Sequence, residues 1–332
     1  MSKKRILSGN RPTGKLHWGN YFGALTNWIK LQDEYDCFYF VADWHALTTG
    51  YDRVKEIAPS VKDVLKDWVA AGLDPKKSTI FIQSWVPEHS ELHLLLSMIT
   101  PLGWLERVPS YKDMKQQLAD RDLNMYGFFG YPLLQASDIL IYGAHFVPVG
   151  EDQLAHLEFA RELVRRFNFL ADRDDVFVEP QPMLTESARV PGVDGRKMSK
   201  SYDNAIYMAD DDETIRKKMM GAITDPARKR RDDPGDPGVC NIFAYHKLYT
   251  DHATIADIDK KCRKAEIGCV DCKKMCIEKA LEFWQPIRKR REEWDGREEE
   301  LLEMARKGSE QARKVACETM EKVREVMGLV YK

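Results

Sequence analysis

Short apolar runs alternate with helix-periodic segments through the first half of this 332-residue chain. The strand candidates are residues 5–8, 37–42, 79–83 and 146–149, and helical periodicity covers residues 20–31, 54–71 and 151–167. Strands separated by helices predict an α/β fold with a doubly wound parallel sheet, because parallel strands need crossover connections. Such sheets bind their ligands in the loops at the carboxyl ends of the strands.

The second part of the chain has a different character. Residues 225–240 are rich in Pro, Gly, Asp and Arg, which indicates a long irregular connection, and the chain from residue 275 onward is charged and helix-periodic. We therefore expect an α/β catalytic domain over residues 1–205 and a smaller all-helical domain over residues 206–332. Whether the last helices pack back onto the first domain stays open.

The charge balance limits the partners that the chain can bind. Lys and Arg number 51 against 53 Asp and Glu, for a net charge of −2, which excludes a uniformly basic surface for nucleic acid. Any polyanion must meet a local patch, and residues 228–231 (RKRR) are the densest basic run, although a solvated or ion-paired loop is an equal alternative. No apolar stretch of about 18 residues exists, and residues 1–8 lack an apolar signal core, so we expect a cytoplasmic protein without membrane contact.

Two short segments have residues suited to phosphate. His17 and Gly19 precede and open a predicted helix, whose N-terminus offers free N–H groups, and His17 can donate a hydrogen bond to a phosphate oxygen. Residues 197–201 (KMSKS) place Lys197 and Lys200 in a glycine-preceded loop. Each segment has an ordinary alternative, a capped turn for the first and a solvated basic loop for the second.

Together the two segments resemble the two signature motifs of class I aminoacyl-tRNA synthetases. The first occurs as His17-Trp18-Gly19-Asn20, where Trp18 replaces isoleucine and Asn20 replaces the second histidine. Asparagine at this last position is the usual form in the tryptophan and tyrosine branch. The second matches in full as residues 197–201. The resemblance implies a Rossmann-like catalytic domain that activates an amino acid with ATP and Mg²⁺, releases pyrophosphate, and transfers the amino acid to tRNA.

The resemblance also implies site residues. His17, Lys197 and Lys200 would be catalytic. ATP contacts would come from the loop before the first motif, from both motifs, and from the segment after the fourth strand: Arg11, Pro12, Thr13, Gly19, Asn20, Gly150, Glu151, Asp152, Val190, Lys197, Met198, Ser199, Lys200 and Ser201.

A polar trio indicates the amino-acid pocket. Tyr131, Gln135 and Asp138 are spaced i, i+4 and i+7 and so share one helix face, which indicates either a buried hydrogen-bond network or a pocket wall. The segment is similar to a helix of tryptophanyl-tRNA synthetases in which an aspartate accepts the indole N–H; this implies that role for Asp138, while Gln135 departs from the usual methionine. Gln153 would accept from the substrate ammonium, and His45 would border the pocket or be a structural histidine.

The resemblance thus implies a tryptophan–tRNA ligase with L-tryptophan, ATP and tRNA(Trp) as partners, assembled as a homodimer. A tyrosyl-tRNA synthetase and a synthetase-like regulator that binds RNA or an amino acid are the rivals. The intact His17 and both motif lysines argue against the regulator, because a binding module has little need of them.

Four cysteines are spaced C-x21-C-x6-C-x2-C, as Cys240, Cys262, Cys269 and Cys272, and Cys276 follows. Four thiolates suit Zn²⁺ or an iron–sulfur cluster, and spacing alone does not separate the two. The pattern resembles that of a bacterial subset of tryptophanyl-tRNA synthetases, which carry a [4Fe–4S] cluster on C-x22-C-x6-C-x2-C. The first gap in this chain is one residue shorter. We therefore favour the cluster over zinc, with Cys276 as an alternative fourth ligand to Cys240 and ordinary buried thiols as the remaining possibility.

Overall fold

A parallel sheet of five strands forms the centre of the computed structural model, which describes residues 3–108, 124–184 and 190–331. The strands, in the spatial order β3-β2-β1-β4-β5, are β1 (Arg5–Asn10), β2 (Asp36–Val41), β3 (Ser78–Ile82), β4 (Phe146–Val149) and β5 (Gln181–Leu184). The register pairs Arg5 with Asp36 and Ile6 with Phe146. The predicted α/β fold class is confirmed, and all four predicted strands form with end shifts of at most two residues.

Helices connect and cover these strands. They are α1 (Trp18–Asn20), α2 (Thr26–Leu31), α3 (Asp43–Gly50), α4 (Ile57–Ala71), α5 (Glu88–Ser97), α6 (Leu102–Glu106), α7 (Tyr126–Phe129), α8 (Tyr131–Ile141), α9 (Leu154–Ala171), α10 (Asp212–Gly221), α11 (Asn241–Tyr249), α12 (His252–Arg263), α13 (Cys269–Glu292) and α14 (Glu298–Val326). A π-helical turn, Tyr21–Leu25, joins α1 to α2, and 3₁₀ turns cover Val54–Glu56, Gln83–Trp85, Glu151–Gln153, Lys200–Tyr202 and Pro237–Val239.

Side-chain alternation along the strands builds a core on each face of the sheet. Tyr39 and Ile80 face a core that also contains Tyr245 and Trp284 from α11 and α13. Phe38 and Phe81 face the opposite core, which α8, α9 and α14 complete. Helices from the second part of the chain therefore cover both faces of a sheet built by the first part.

The long helix α14 lies against the edge strand β3. Gly308 allows this approach, since an added Cβ would overlap the carbonyl oxygen of Ile80. Ser309 Oγ accepts from the Ile82 N–H at 3.4 Å. The helix thereby covers a strand edge that would otherwise be open to another chain. The division at residues 205 and 206 stays a prediction.

None of the helices in the described ranges is long and apolar enough to cross a membrane.

Candidate active site

A cavity of about 410 Å³ opens at the carboxyl ends of β1 and β4. The chain leaves β1 toward β2 and β3 on one side and returns to build β4 and β5 on the other. The crevice lies where this strand order reverses, which is the position at which doubly wound sheets bind ligands. Predicted site residues that line it are Arg11, Asn20, His45, Tyr131, Gln135, Asp138, Gly150 and Gln153.

His17 caps the helix that follows β1. Its Nδ1 accepts from the Asn20 N–H at 3.2 Å, and Asn20 Oδ1 accepts from the His17 N–H at 3.0 Å, forming a reciprocal capping box. Burial, helped by the charges of Lys200 and Lys197, lowers the pKa of His17 to about 4. The ring is therefore neutral near pH 7, and because Nδ1 is an acceptor, its proton sits on Nε2. Gly19 leaves room for this ring, since an added Cβ would lie 3.0 Å from His17 Nδ1.

Backbone pairing brings the second motif beside the first. The Trp18 N–H donates to Ile206 O at 2.9 Å, and the Met208 N–H donates to Leu16 O at 2.9 Å. Lys200 Nζ donates to the carbonyls of Thr13 at 3.0 Å and Gly14 at 2.9 Å. Burial lowers the pKa of Lys200 to about 8. The two motifs predicted from sequence therefore meet, with Lys197 exposed at the surface.

Asn204 organises the second motif, a role that the sequence alone did not reveal. Its Oδ1 accepts from the Ser199 N–H at 2.8 Å, and its Nδ2 donates to Asp194 Oδ1 at 2.7 Å and to Lys197 O at 3.2 Å. The side chain is almost fully buried and fills the space beside Gly192, where a Cβ could not fit. Its position three residues after the motif gives only a weak local signal.

Asp138 lies in the cavity wall as a buried carboxylate with three partners. Gln83 Nε2 donates to both oxygens at 2.9 and 3.0 Å, His89 Nδ1 lies 2.6 Å from Oδ1, and His45 Nε2 lies 2.8 Å from Oδ2. Burial alone would raise the pKa of Asp138, but the two histidines lower it to about 2. The group is therefore ionised at any working pH. Gln83 and His89 were not predicted; Gln83 had the signal of a polar residue at the end of a strand, and His89 had none.

The match to known families decides what this site belongs to. A family model described as class I tRNA synthetases (W and Y) matches residues 2–285. The tryptophan–tRNA ligase of Thermotoga maritima is 48% identical and covers 98% of this chain and 100% of the relative. That of Ralstonia nicotianae is 46% identical and covers 100% of both chains. The chain belongs to the class I tryptophan–tRNA ligases.

A solved tryptophan–tRNA ligase has the same fold. The crystal structure of the Campylobacter jejuni tryptophanyl-tRNA synthetase, complexed with ADP and tryptophan, is 34% identical, with a TM-score of 0.87 over 98% of this chain and 99% of that one. The prediction of a tryptophan–tRNA ligase is confirmed, and the tyrosyl-tRNA synthetase and the regulator are not favoured. The likeness to a tyrosyl-tRNA synthetase from Archaeoglobus fulgidus, at 22% identity, shows the shared fold alone.

Among the described residues, the remaining predicted ATP contacts of this ligase are not part of the cavity lining. Val190 and Met198 are buried and joined by a backbone hydrogen bond from the Met198 N–H to Val190 O at 3.2 Å. Ser199 caps the 3₁₀ turn that begins at Lys200, accepting from the Ser201 N–H. Pro12 is buried, while Thr13 and Glu151 are exposed. The side chain of Asp152 lies outside what the structure describes.

Two of the four predicted metal-binding cysteines of the ligase contact the same guanidinium group, that of Arg228. Arg228 Nη1 lies 3.8 Å from both Cys262 Sγ and Cys269 Sγ. Burial raises the pKa of Cys272 to about 12, and the other three thiols of the set reinforce the shift. Cys276 is fully buried, with its Sγ 3.7 Å from Ile242 O. Among residues 3–108, 124–184 and 190–331, no three His, Cys, Asp or Glu side chains are arranged to hold a metal ion.

The basic run at residues 228–231 divides into two parts. Arg228 is bound within the protein, since Nη2 donates to Arg231 O at 2.7 Å and to Ile267 O at 2.8 Å. The side chains of Lys229, Arg230 and Arg231 are exposed. The prediction of a phosphate contact therefore narrows to these last three residues.

Proposed function

We propose that this chain activates L-tryptophan with ATP in the cavity between β1 and β4, releases pyrophosphate, and transfers tryptophan to the terminal ribose of tRNA(Trp). The observation that carries the proposal is a buried, ionised Asp138 in the wall of a cavity that begins beside the His17 motif. An indole ring has one donor and no acceptor, so a carboxylate is a fitting partner. The same cavity is lined by Arg11 and by Asn20 of the first motif, so it would hold tryptophan and ATP side by side, as adenylate formation needs.

In the proposed reaction, the tryptophan carboxylate attacks the α-phosphorus of ATP and the bond to the bridging oxygen of pyrophosphate breaks. The enzyme positions both reactants and stabilises the phosphate charge. The His17 Nε2–H would donate to an α-phosphate oxygen, and Lys197 and Lys200 would hold the leaving pyrophosphate. Mg²⁺, when bound through the ATP phosphates, would share this negative charge.

The amino-acid end of the cavity would fix the substrate by its polar groups. Asp138 would accept the indole N–H, with His45 beside it. Tyr131, Gln135 and Gln153 line the same cavity, and Gln153 would accept from the substrate ammonium.

Charging of tRNA tests the complete reaction. We expect radiolabelled tryptophan to be esterified to a tRNA(Trp) transcript when ATP and Mg²⁺ are present, while tRNA(Tyr) with labelled tyrosine gives no product. Charging of tRNA(Tyr) with tyrosine, and not of tRNA(Trp) with tryptophan, would contradict the proposal.

The low pKa of Lys200 predicts a pH dependence. Lys200 binds phosphate only when protonated, so its contribution is complete well below pH 8 and is lost as the pH rises through about 8. We expect kcat/KM for ATP to fall above about pH 8, since this ratio reports the free enzyme. In Lys200→Arg, the fall should shift to higher pH, because arginine stays charged. An identical profile in both proteins would assign the fall to another group.

We further propose that Cys240, Cys262, Cys269 and Cys272 hold a [4Fe–4S] cluster, with Zn²⁺ as the alternative. The support is the chemistry of the donor set: burial and the nearby Cys240, Cys262 and Cys269 raise the pKa of Cys272, and a bound cation would stabilise such clustered thiols as thiolates. Gly235 also supports a crowded thiol site, since its backbone lies so close to Cys262 that an added Cβ would be 2.7 Å from Cys262 Sγ. Cys276 is the weaker candidate because its thiol is buried in the core against Ile242 O. The group would stabilise the region between Cys240 and Cys272 and takes no part in the proposed chemistry.

Iron content tests this cluster. We expect protein purified without oxygen to be brown and to contain about four irons per chain. Cys269→Ser should lose the iron and most tRNA charging, while tryptophan-dependent pyrophosphate exchange survives, because none of the four thiols has a part in the proposed adenylate chemistry. Cys317→Ser, which changes a thiol outside the set, is the matched control and should keep its iron. Stoichiometric zinc without iron would show that the site holds zinc and not the cluster, and absence of both metals would show that the cysteines do not form a metal site.

The helical part of the chain, residues 206–332, is the proposed anticodon-binding domain. The exposed Lys229, Arg230 and Arg231 support an RNA contact there, because exposed basic side chains are the groups that bind phosphates.

Exposed apolar side chains on α5, α6 and α7 support the homodimer. Leu94 lies on α5, Met98 directly follows that helix, Leu102 begins α6, and Tyr126 of α7 has its ring 6.4 Å from the ring of His93. Contiguous exposed apolar side chains are typical of protein–protein interfaces. We propose that a second copy of the chain covers them.

A further inference from the structure

A buried carboxylate joins the first signature motif to the C-terminal helix α13. Asp67 of α4 is 0% exposed. Its Oδ2 accepts from the Leu16 N–H at 2.8 Å, and its Oδ1 accepts from Arg291 Nε at 2.6 Å. Because Leu16 immediately precedes His17, this carboxylate fixes the backbone directly before the capping histidine.

Arg291 is itself fixed by a second carboxylate. Its Nη2 donates to Asp63 Oδ1 at 2.8 Å, and Asp63 lies one helical turn before Asp67 on α4. An arginine held by two carboxylates has little rotational freedom, so it orients Asp67 as well as neutralising it. The same two carboxylates oppose the burial that lowers the pKa of Lys200, so their charge also reaches the second motif.

The residue after His17 is held by the same helix. The indole ring of Trp18 stacks on Trp284, with centroids 5.4 Å apart and planes 8° from parallel. Trp284 and Arg291 are seven residues apart on α13 and therefore share one face. Helix α13 thus contacts both sequence neighbours of His17, one through Asp67 and the other through an aromatic stack.

We propose that Asp67 and Arg291 are positioning residues for adenylate formation: by holding the Leu16 N–H, they aim the His17 ring at the α-phosphate. The inference rests on the role proposed above for His17. A purely structural ion pair, which only joins α4 to α13, would stabilise the fold without acting on the rate of the chemical step. The proposed tryptophan contacts, Asp138 and its partners, form a different set of contacts from that of Asp67 and Arg291. The positioning role therefore predicts a loss in kcat and an unchanged KM for tryptophan.

The double variant Asp67→Leu/Arg291→Met separates these two possibilities. Replacing a buried ion pair by apolar groups of similar size often preserves stability, whereas removing one partner strands a buried charge. The Leu16 N–H nevertheless loses its acceptor. We expect a folded protein in which kcat for tryptophan-dependent pyrophosphate exchange at saturating ATP falls on the order of 10²-fold, while KM for tryptophan changes by less than about three-fold. The single variant Arg291→Lys keeps Asp67 and a positive charge beside it, so we expect it to retain more of the wild-type rate than the double variant does.

Arg290→Met is the matched control. Arg290 is the neighbouring residue on α13, and its Nε donates to Ala70 O of the same helix α4 at 2.7 Å, without touching Asp67. We expect this variant to keep the wild-type kcat whatever its melting temperature. A double variant with the wild-type kcat, or an equal loss in Arg290→Met, would overturn the positioning role. Pyrophosphate exchange by the wild-type protein tests the proposed function separately. A failure of the proposed function can therefore be distinguished from a failure of the positioning role.

Discussion

Asp138→Ala will lose most of the preference for tryptophan over an isosteric analogue without the indole N–H, such as 3-benzothienylalanine. A site built to bind a substrate N–H rejects the analogue that lacks it by on the order of 10⁴-fold, because its buried polar groups are then left unpaired. Asp138 fits that description, since it is 1% exposed and its pKa is held at about 2. The measurement is the ratio of kcat/KM for the two amino acids in pyrophosphate exchange.

The control for this variant lies next to it on α8. Ser137 is also buried, but its Oγ donates to Leu133 O at 2.8 Å within the helix, so Ser137→Ala should keep the wild-type ratio. Because Asp138 stays ionised above about pH 2, the ratio in the wild-type protein should not vary between about pH 6 and 9. An unchanged ratio in Asp138→Ala would show that another group recognises the indole.

His17→Asn will lower kcat for pyrophosphate exchange by about 10²- to 10³-fold, the usual effect of removing one hydrogen-bond donor that stabilises transition-state charge. The choice of asparagine separates two roles of His17. Asparagine is a good N-cap and can still accept from the Asn20 N–H, so the helix start is preserved while the Nε2–H donor is lost. The measurement is kcat at saturating tryptophan and ATP.

Stability measurements complete this comparison. His17→Ala removes both roles, so it should lose about 1 kcal/mol of unfolding free energy together with the rate. His17→Asn should lose the rate alone. If His17→Asn keeps the wild-type kcat, then His17 caps the helix and has no direct part in the reaction.

The strands and motifs could be predicted because their signals are local. Strands β1 to β4 are short apolar runs, and the lysines of the second motif lie within five consecutive residues. Strand β5 was missed because it is a short edge strand whose side chains are exposed or half-buried, so it has no apolar run to mark it, whereas β4, also four residues long with a proline, has two buried valines. Helix α13 begins at Cys269, earlier than the predicted helical start at residue 275, because the cysteines there hide its periodicity.

The partners of the site residues could not be predicted, because the contacts join distant parts of the chain. Gln83 and His89 reach Asp138 across 55 and 49 residues, and Arg291 reaches Asp67 across 224. No spacing rule connects such positions, and each of these side chains has an ordinary surface alternative when read alone. The packing of α14 on β3 is of the same kind, since the small Gly308 gives no sign of the strand that it contacts.

Pyrophosphate exchange with single amino acids tests the central claim most directly. The wild-type chain, with ATP, Mg²⁺ and labelled pyrophosphate, should form labelled ATP when L-tryptophan is added, and kcat/KM for L-tyrosine and L-phenylalanine should be lower by on the order of 10⁴-fold. The assay needs no tRNA, so it reports amino-acid activation alone. Exchange that depends on tyrosine and not on tryptophan, or no exchange with any of the three, would contradict the account.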